Sequence, residues 1–243
     1  MIKFCKCHSY GNSFVILEED TYIKYKDELS KLVINITDPL NGLNTDGVLF
    51  ITQHLDSYKM VYYNNDGTYG KMCGNGIRCF IDYLYKCKKI PAKGTVYSDE
   101  NIIEYEIGEY IDTFHKKAEL LDTYKYGKKN VYLTNSGVLH ATMFVDKINV
   151  KQLKKLFDKL NGKYNTSFVH KNEEGIYEIL TYEVGAGLTL ACGTAAISLA
   201  SILNLPLIEV QYKLGIINVK TTDKVNLSGY TVTVCMGDFK YWK

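Results

Sequence analysis

One short phrase occurs twice in this chain, about half the chain length apart. Met72-Cys73-Gly74-Asn75-Gly76 precedes one run of helically spaced apolar residues, and Ala191-Cys192-Gly193-Thr194 precedes another. Each phrase places a cysteine, a glycine and a polar residue just before a predicted helix. Two such junctions, about half a chain apart, are expected to form two facing sites of one active centre.

A thiol at such a junction has unusual neighbours. The first backbone N–H groups of a helix lack intrahelical partners and lie at the positive end of the helix dipole, so they stabilise a thiolate and bind anions. Cysteines in this position can have their pKa lowered from about 8.5 to roughly 3.5–7.5. Cys73 and Cys192 are therefore candidate active-site thiols, and the pair predicts an enzyme.

Composition narrows the possible function classes. The chain has 243 residues, 46% of them hydrophobic and 23% charged, with a formal net charge of +2. It has no basic stripe of the kind that binds nucleic acid, and no apolar run approaches the ~18 residues of a membrane span. Segment 1–8 lacks the apolar core and cleavage site of a signal peptide. We expect a cytoplasmic protein that binds neither nucleic acid nor membrane.

The cysteine usage favours free thiols. Seven cysteines are an odd number, and without a secretory signal no disulfide framework is expected. Cys5 and Cys7, followed by His8, alternate with polar residues as in a strand, and their spacing is shorter than that of zinc-binding pairs. No metal ion is expected.

Two kinds of periodicity alternate along the chain. Runs of β-branched and aromatic residues predict strands, and apolar spacings of three and four predict helices. The predicted helices span 25–34, 76–87, 150–160 and 193–203. The predicted strands span 2–7, 14–17, 47–52, 59–64, 94–98, 102–107, 131–134, 140–145, 168–171, 175–181, 208–213, 217–221 and 230–236.

The second half of the chain repeats the element order of the first. This pattern predicts an α+β fold of two pseudo-symmetric domains, each burying one helix against a curved, mostly antiparallel sheet. The expected halves are 1–112 and 113–230, with the last strand, at about 231–243, crossing back to the first half.

Two such thiols can invert a carbon without an electron-sink cofactor. A thiolate on one face removes a proton and a thiol on the other face returns one, so the stereochemistry is inverted. The backbone N–H groups of Gly74, Asn75, Gly193 and Thr194 are expected to bind a substrate carboxylate and to stabilise the charge that develops on it. We expect no cofactor.

These segments resemble the signatures of the diaminopimelate epimerase family. The run Asn64-Asn65-Asp66-Gly67-Thr68, with the phrase that starts at Met72, is similar to the first signature. The run Glu183-Val184-Gly185-Ala186-Gly187, with the phrase that starts at Ala191, is similar to the second. His8 with Gly11-Asn12-Ser13-Phe14, and Asn41-Gly42 with Asp46-Gly47, are similar to further family segments, so the resemblance covers nearly the whole chain.

The resemblance implies two α+β domains, each a sheet wrapped around a central helix, with the active site in the cleft. It implies an isomerase that acts on a small-molecule amino acid without pyridoxal phosphate or metal, and it leaves a homodimer open. It also assigns roles to seven side chains: Cys73 and Cys192 as base and acid, His140 and Glu183 as groups that help to set the protonation of the thiols, and Asn12, Asn64 and Asn165 as substrate contacts.

Two departures from the family pattern bear on the substrate. Val184 stands where the family has an arginine, and Val138 stands where it has an asparagine. The missing side chains belong to the pocket for the distal centre of diaminopimelate, and valine cannot replace a guanidinium as a carboxylate clamp. The sequence therefore predicts a retained reaction on a changed substrate, with Val138 and Val184 as specificity residues.

The predicted side-chain pocket favours a planar polar ring. Asn64, Asn165 and Glu183 lie beside the new apolar residues, and Glu183 can accept a hydrogen bond from a ring N–H. Histidine racemases exist among relatives of the family, so histidine is the favoured substrate. Lysine or arginine, paired to Glu183, comes next.

Several other interpretations stay open. Diaminopimelate epimerase itself is the first alternative. Proline racemases share the two-cysteine mechanism but carry histidine where this chain has Asn75, and phenazine-type isomerases of similar fold lack the cysteine pair. A non-catalytic amino-acid-binding module, or a thiol-redox protein that uses Cys73 and Cys79, would belong to another class. Five residues separate these two cysteines, whereas the usual redox motif has two.

Overall fold

The computed structural model describes residues 1–99 and 101–241. The chain divides into two compact units. The first unit is Met1–Asp112 together with the segment that starts at Tyr230, and the second unit is Thr113–Gly229. Residues 242 and 243, at the end of the predicted last strand, lie outside the described residues.

The first unit begins with the N-terminal half of the chain. Its elements, in chain order, are β1 (Ile2–Ser9), β2 (Asn12–Leu17), α1 (Glu19–Lys24), α2 (Leu29–Thr37), β3 (Gly47–His54), β4 (Ser57–Asn64), β5 (Tyr69–Gly70), α3 (Gly74–Lys86), β6 (Lys93–Ser98) and β7 (Asn101–Ile107).

The chain passes to the second unit within β8 (Ile111–His115). The next elements are β9 (Glu119–Tyr126), β10 (Lys129–Asn135), β11 (Leu139–Phe144), α4 (Val150–Lys159), β12 (Asn165–Lys171), β13 (Tyr177–Glu183), β14 (Gly187–Thr189), α5 (Gly193–Leu203), β15 (Leu207–Tyr212), β16 (Gly215–Thr221) and β17 (Val225–Gly229). The last strand, β18 (Val232–Phe239), belongs to the first unit.

The strands pair in the same order in both units. In the first unit β1–β2, β3–β4, β4–β5 and β6–β7 are antiparallel, whereas β2–β3 and β4–β6 are parallel. In the second unit β10–β11, β12–β13, β13–β14 and β15–β16 are antiparallel, whereas β11–β12 and β13–β15 are parallel. β18 pairs with β1, and β9 pairs with β10. The predicted α+β class and the predicted repeat of elements are confirmed.

Each unit buries one central helix. In α3 residues 74–81 and Leu84 are buried, and the helix packs against β1 and β2. In α5 residues 193–200 are buried, and the helix packs against β11, β16 and β17. Both helices are crossovers between parallel strands, and a crossover helix covers one face of its sheet.

The other face of the first sheet is covered by α2. Val48 and Phe50 of β3 share a core with Leu32 of α2. Leu49 points to the opposite face, where its side chain lies beside Gly76 of α3. Residues 47–51 are therefore all buried, which explains why this strand is a continuous apolar run rather than an alternating one.

The predicted helix 25–34 is wrong. The structure has two helices, Glu19–Lys24 and Leu29–Thr37, with a non-helical segment between them. The apolar spacing of Tyr25, Leu29 and Leu32 continues across the turn, so the prediction included the four non-helical residues 25–28 and ended before the second helix does.

Some strands carry no readable pattern. The outer strand β9 has exposed leucines at both Leu120 and Leu121, so its residues do not alternate between buried and exposed. β5 and β14 have only two and three residues. Within residues 1–99 and 101–241, no helix is long and apolar enough to cross a membrane.

Candidate active site

Cys73 lies at the start of the central helix of the first unit. It is the N-terminal cap of α3, with an extended backbone (φ −142°, ψ 110°), and its Sγ accepts a hydrogen bond from the N–H of Gly76 at 3.4 Å. The thiol thus takes the capping position that serine or aspartate fills in many helices. A Cβ at position 76 would lie 3.3 Å from the Cys73 Cβ, so glycine leaves room for the half-buried thiol.

Asn12 lies beside this thiol. Its Oδ1 is 3.7 Å from Cys73 Sγ and accepts a hydrogen bond from Asn75 Nδ2 at 3.2 Å. Its Nδ2 donates to Oδ2 of Asp46 at 3.1 Å, and the same oxygen accepts the N–H of Ser13 at 2.7 Å. The structure therefore brings three predicted residues together and adds the carboxylate of Asp46.

Sequence reasoning missed Arg78, which lies about one turn after the start of α3. Its side chain is fully buried; Nη2 donates to Oδ1 of Asn75, and Nε donates to Oγ of Ser9 at 3.2 Å. The guanidinium carbon is 5.9 Å from the centre of the Tyr10 ring. A signal was available, because Arg78 is the only arginine in the chain.

Asn64 is held in a turn at the end of β4. Its Oδ1 accepts a hydrogen bond from the Tyr62 hydroxyl at 2.6 Å, and its Nδ2 donates to Oγ1 of Thr68 at 3.0 Å. Asp66 accepts the hydroxyl hydrogen of Thr68. These bonds tie Asn64 to the turn 64–68 rather than to the group around Cys73.

In the second unit, Cys192 has the same position as Cys73 but different neighbours. It caps α5 with an extended backbone (φ −130°, ψ 106°) and is buried. Its Sγ is 3.3 Å from Oγ1 of Thr194, which is 2.9 Å from Nε2 of His140 on β11. Complete burial lowers the pKa of His140 to about 3, so the imidazole is neutral near pH 7.

Tyr212 fixes the backbone of Cys192. This buried residue of β15 donates its hydroxyl hydrogen to the Cys192 carbonyl oxygen. The bond ties the backbone of Cys192, and with it the start of α5, to strand β15. Sequence reasoning missed Tyr212 because it is one of 21 tyrosines without a distinguishing motif.

Glu183 is held by the turn that follows it. Gly185 (φ 81°) and Gly187 (φ 74°) take the left-handed conformation, which reverses the chain and pairs Glu183 with Gly187. Thr189 then donates its hydroxyl hydrogen to Glu183 Oε1 at 2.5 Å. The carboxylate is half-buried and has a defined position at the end of β13.

Asn165 and the two valines lie in the same unit. Asn165 Oδ1 accepts the backbone N–H of Val184 at 2.9 Å, so this amide turns its oxygen toward the chain after Glu183. Val184 has 45% of its surface exposed. Val138 is half-buried in the turn before β11, where its carbonyl oxygen accepts the N–H of Ser136.

The other cysteines offer a different environment. Cys79 is buried in α3 beside Cys7 of β1, and burial raises its pKa well above the ordinary value. A thiol with a raised pKa is a poor nucleophile near neutral pH, which disfavours a redox pair of Cys73 and Cys79. In the described part of the chain, no group of three histidine, cysteine, aspartate or glutamate side chains is arranged to hold a metal ion.

Both cysteine junctions can therefore hold a thiol and bind an anion. α3 and α5 are 13 and 11 residues long, and each presents its first N–H groups immediately after a cysteine. Gly74 and Gly193 are the first helical residues, and the turn into each helix is made by the extended cysteine. This arrangement suits proton transfer by a thiol next to a carboxylate.

Comparison with known proteins gives matches along most of the chain. A family model described as diaminopimelate epimerase matches residues 4–109. The diaminopimelate epimerase of Rickettsia felis is 30% identical over 266 residues, which cover 98% of this chain and 97% of that protein. The diaminopimelate epimerase of Caldanaerobacter subterraneus is 28% identical and covers 98% of this chain and 100% of its own length.

Solved structures of low identity share the fold. A phenazine biosynthesis protein of the PhzF family from Bacillus anthracis has a TM-score of 0.78 at 14% identity and covers 99% of both chains. A hydroxyproline epimerase from Agrobacterium vitis has a TM-score of 0.73 at 12% identity and covers 97% of this chain and 90% of its own. Together with the sequence match to the Rickettsia felis protein over nearly the full length of both chains, the two cysteine–helix junctions give the assignment: this chain belongs to the diaminopimelate epimerase family.

Proposed function

We propose that this isomerase is a cofactor-independent amino-acid racemase that inverts the α-carbon with a thiolate and a thiol, and that histidine is its favoured substrate. One observation supports the reaction most directly. Cys73 and Cys192 are each the N-terminal cap of the buried central helix of a unit, and the two units have the same strand pairing. Two equivalent thiols are what a two-base inversion requires.

The proposed reaction moves one proton at each face of the carbon. The thiolate of one cysteine takes the α-proton, and the electron pair of the broken C–H bond moves into the carboxylate. The N–H groups of Gly74, Asn75, Gly193 and Thr194 stabilise this charge. The thiol of the other cysteine then gives its proton to the opposite face of the carbon. Thiol and thiolate have now exchanged, so the same site runs in reverse.

His140 and Glu183 would act as groups that set the protonation of the thiols. His140 is neutral near pH 7, so in this role it contributes a hydrogen bond through Thr194 to Cys192 rather than a positive charge. Glu183 is held in place by Thr189. Asn12 would contact both the substrate and the thiol of Cys73, from which its oxygen is 3.7 Å away.

The side chains of the second unit support a ring with one hydrogen-bond donor and one acceptor. The Asn165 oxygen already accepts the Val184 N–H, so this amide offers its N–H groups to a ligand. Glu183 offers a carboxylate that accepts. The imidazole of histidine has a lone-pair nitrogen for the first and an N–H for the second, and the apolar side chains of Val138 and Val184 would contact the carbon atoms of the ring. Asn64, in the first unit, stays a proposed substrate contact.

Diaminopimelate epimerase activity is the second candidate, because the Rickettsia felis and Caldanaerobacter relatives carry that name. Diaminopimelate has a second carboxylate. The exposed Val184 side chain offers no charge for it, and a carboxylate desolvated against valine without a partner is costly. The histidine proposal therefore fits the residues of this chain better.

Racemisation assays on single amino acids would test the proposal. Purified protein is incubated in deuterated water with L-histidine, L-lysine, L-arginine or LL-diaminopimelate, and the product is analysed by chiral chromatography and mass spectrometry. The proposal expects D-histidine with one deuterium at the α-carbon. Activity on diaminopimelate alone would overturn the proposed substrate. If no amino acid exchanges its α-proton, the proposed reaction would be overturned.

A further inference from the structure

We propose that Asp46 and Arg78 are positioning residues, which together fix the direction in which the Asn12 and Asn75 amides face Cys73. The inference rests on the proposed function only for the role of Cys73 in the reaction. It begins from a row of four side chains in the first unit, in which Arg78 donates to Asn75, Asn75 donates to Asn12 and Asn12 donates to Asp46.

The two ends of this row leave one orientation for the amides between them. A guanidinium only donates hydrogen bonds and an ionised carboxylate only accepts them. Arg78 therefore requires the oxygen of Asn75 to face it, which turns Asn75 Nδ2 toward Asn12. Asp46 requires Nδ2 of Asn12 to face it, which leaves the Asn12 oxygen toward Asn75 and Cys73. Turning either amide would set two donors or two acceptors against each other.

This orientation gives the sulfur of Cys73 two kinds of neighbour. The N–H of Gly76 points at the sulfur from the helix at 3.4 Å, and the Asn12 oxygen lies 3.7 Å away on another side. The N–H stabilises the thiolate, and the oxygen accepts the S–H hydrogen of the thiol. A cysteine that must be base in one direction and acid in the other needs both contacts. A turned Asn12 would offer only donors.

The choice of arginine at position 78 supports a geometric role. The chain has 29 lysines and arginines, and Arg78 is the only arginine. Its Nε and Nη2 bind Ser9 and Asn75 at the same time, which a single ammonium group on a flexible stem does not reproduce. Ser9 in turn donates to the carbonyl oxygen of Tyr230 at 2.8 Å. This bond holds the hydroxyl that accepts from the Arg78 guanidinium.

The test uses four variants of the full-length chain: Asp46→Asn, Asp46→Ala, Arg78→Lys and Arg78→Met. The rates at which iodoacetamide alkylates Cys73 and Cys192 are measured separately, by peptide mass spectrometry, with kcat and KM for racemisation alongside. Folding is checked by circular dichroism and Tm. Cys192 lies in the other unit and serves as the internal reference.

Loss of either end should weaken the constraint on the amides. In the original protein a turn of Asn12 sets two contacts of the row in opposition, whereas in Asp46→Ala or Arg78→Met it sets only one. The turn then costs less, and the N–H groups it brings to the sulfur stabilise the thiolate, so we expect Cys73 to be alkylated at least about threefold faster, with Cys192 unchanged. We expect kcat to fall by about tenfold or more. Asp46→Asn keeps an oxygen that accepts from Asn12 and should stay within about threefold of the original protein in both readouts. Arg78→Lys should behave like Arg78→Met.

Opposite results would overturn the proposal. Cys73 alkylation and kcat near the original values in folded Asp46→Ala and Arg78→Met would show that the amides need no such support. An equal loss in Asp46→Asn and Asp46→Ala would show that the charge, and not the orientation, matters. If the Arg78 variants do not fold, the comparison of Asp46→Asn with Asp46→Ala tests the proposal, together with Ser9→Ala, which removes the contact of Arg78 Nε. If no amino acid is racemised, the proposed function fails, while the alkylation rates still test the positioning.

Discussion

The Nε2 atom of His140 lies 2.9 Å from the hydroxyl oxygen of Thr194, and both side chains are buried. Among the described residues, Nδ1 of His140 has no hydrogen-bond partner. A buried N–H without a partner is rarer than an acceptor without one, so the hydrogen of the neutral ring belongs on Nε2. Thr194 then accepts from His140 and points its own hydrogen to Cys192 Sγ, 3.3 Å away. This link favours the thiolate of Cys192.

Replacing Thr194 tests this link. Thr194→Val keeps the shape of the side chain but removes the hydroxyl, so we expect kcat to fall by about tenfold to a hundredfold and Cys192 to be alkylated more slowly. Thr194→Ser keeps the hydroxyl and should stay within a few-fold of the original protein. Steady-state kinetics and site-resolved alkylation check both. A valine variant with unchanged Cys192 reactivity would contradict the link.

His140 predicts a pH dependence of stability. Its pKa is about 3 in the folded protein and near the ordinary 6.5 when unfolded, so between these values the unfolded chain binds a proton that the folded chain does not. The stabilisation is complete above pH 6.5 and is lost as the pH falls toward 3, by up to about 1.4 kcal/mol per pH unit. Urea unfolding of the original protein and His140→Gln at pH 7, 6 and 5 should show a steeper decline in the original. Parallel declines would contradict the buried neutral ring.

Both active-site thiols should be indispensable. We expect Cys73→Ala and Cys192→Ala each to lower kcat for racemisation by about a thousandfold or more, because each removes the group that carries the proton at one face of the carbon in the proposed reaction. The exposed thiols of Cys87 and Cys235 give matched controls, and Cys87→Ala and Cys235→Ala should keep full activity. Racemisation that survives in either active-site variant would exclude the two-base mechanism.

Position 184 should control the substrate. Val184→Arg introduces a guanidinium next to Glu183, which we expect to lower KM for diaminopimelate and to lower kcat/KM for histidine by about tenfold or more. Val184→Leu, which adds bulk without charge, should leave diaminopimelate a poor substrate. Competition assays with both amino acids measure the ratio of kcat/KM. If Val184→Arg keeps the original substrate preference, residues other than Val184 must determine the substrate.

The elements that could be predicted best from the sequence are those whose local geometry allows few residue types. The start of α5 at Gly193 follows from the Cys-Gly phrase, because the extended cysteine, the small residue and the buried run that follows leave few alternatives. The outer strand β9 could not be predicted, because its exposed leucines follow neither the alternation of a half-buried strand nor the spacing of an amphipathic helix. In the site, Cys73, Asn12 and Asn75 were predicted and lie together. Asp46 as an anchor was missed because its role depends on a contact across 34 residues of sequence.

The two units repeat one strand pairing, yet a carbonyl oxygen neighbours Cys73 and a hydroxyl neighbours Cys192. The enantiomers of an amino acid have equal free energy, so a racemase ends at the racemic mixture whatever its residues are. kcat/KM is then equal in the two directions. Unequal surroundings of the two thiols can make the directions differ in kcat and in KM, but only by the same factor in both. In the proposed racemase, divergence between the repeated halves therefore determines which enantiomer saturates the enzyme first, and leaves the final composition of the solution unchanged.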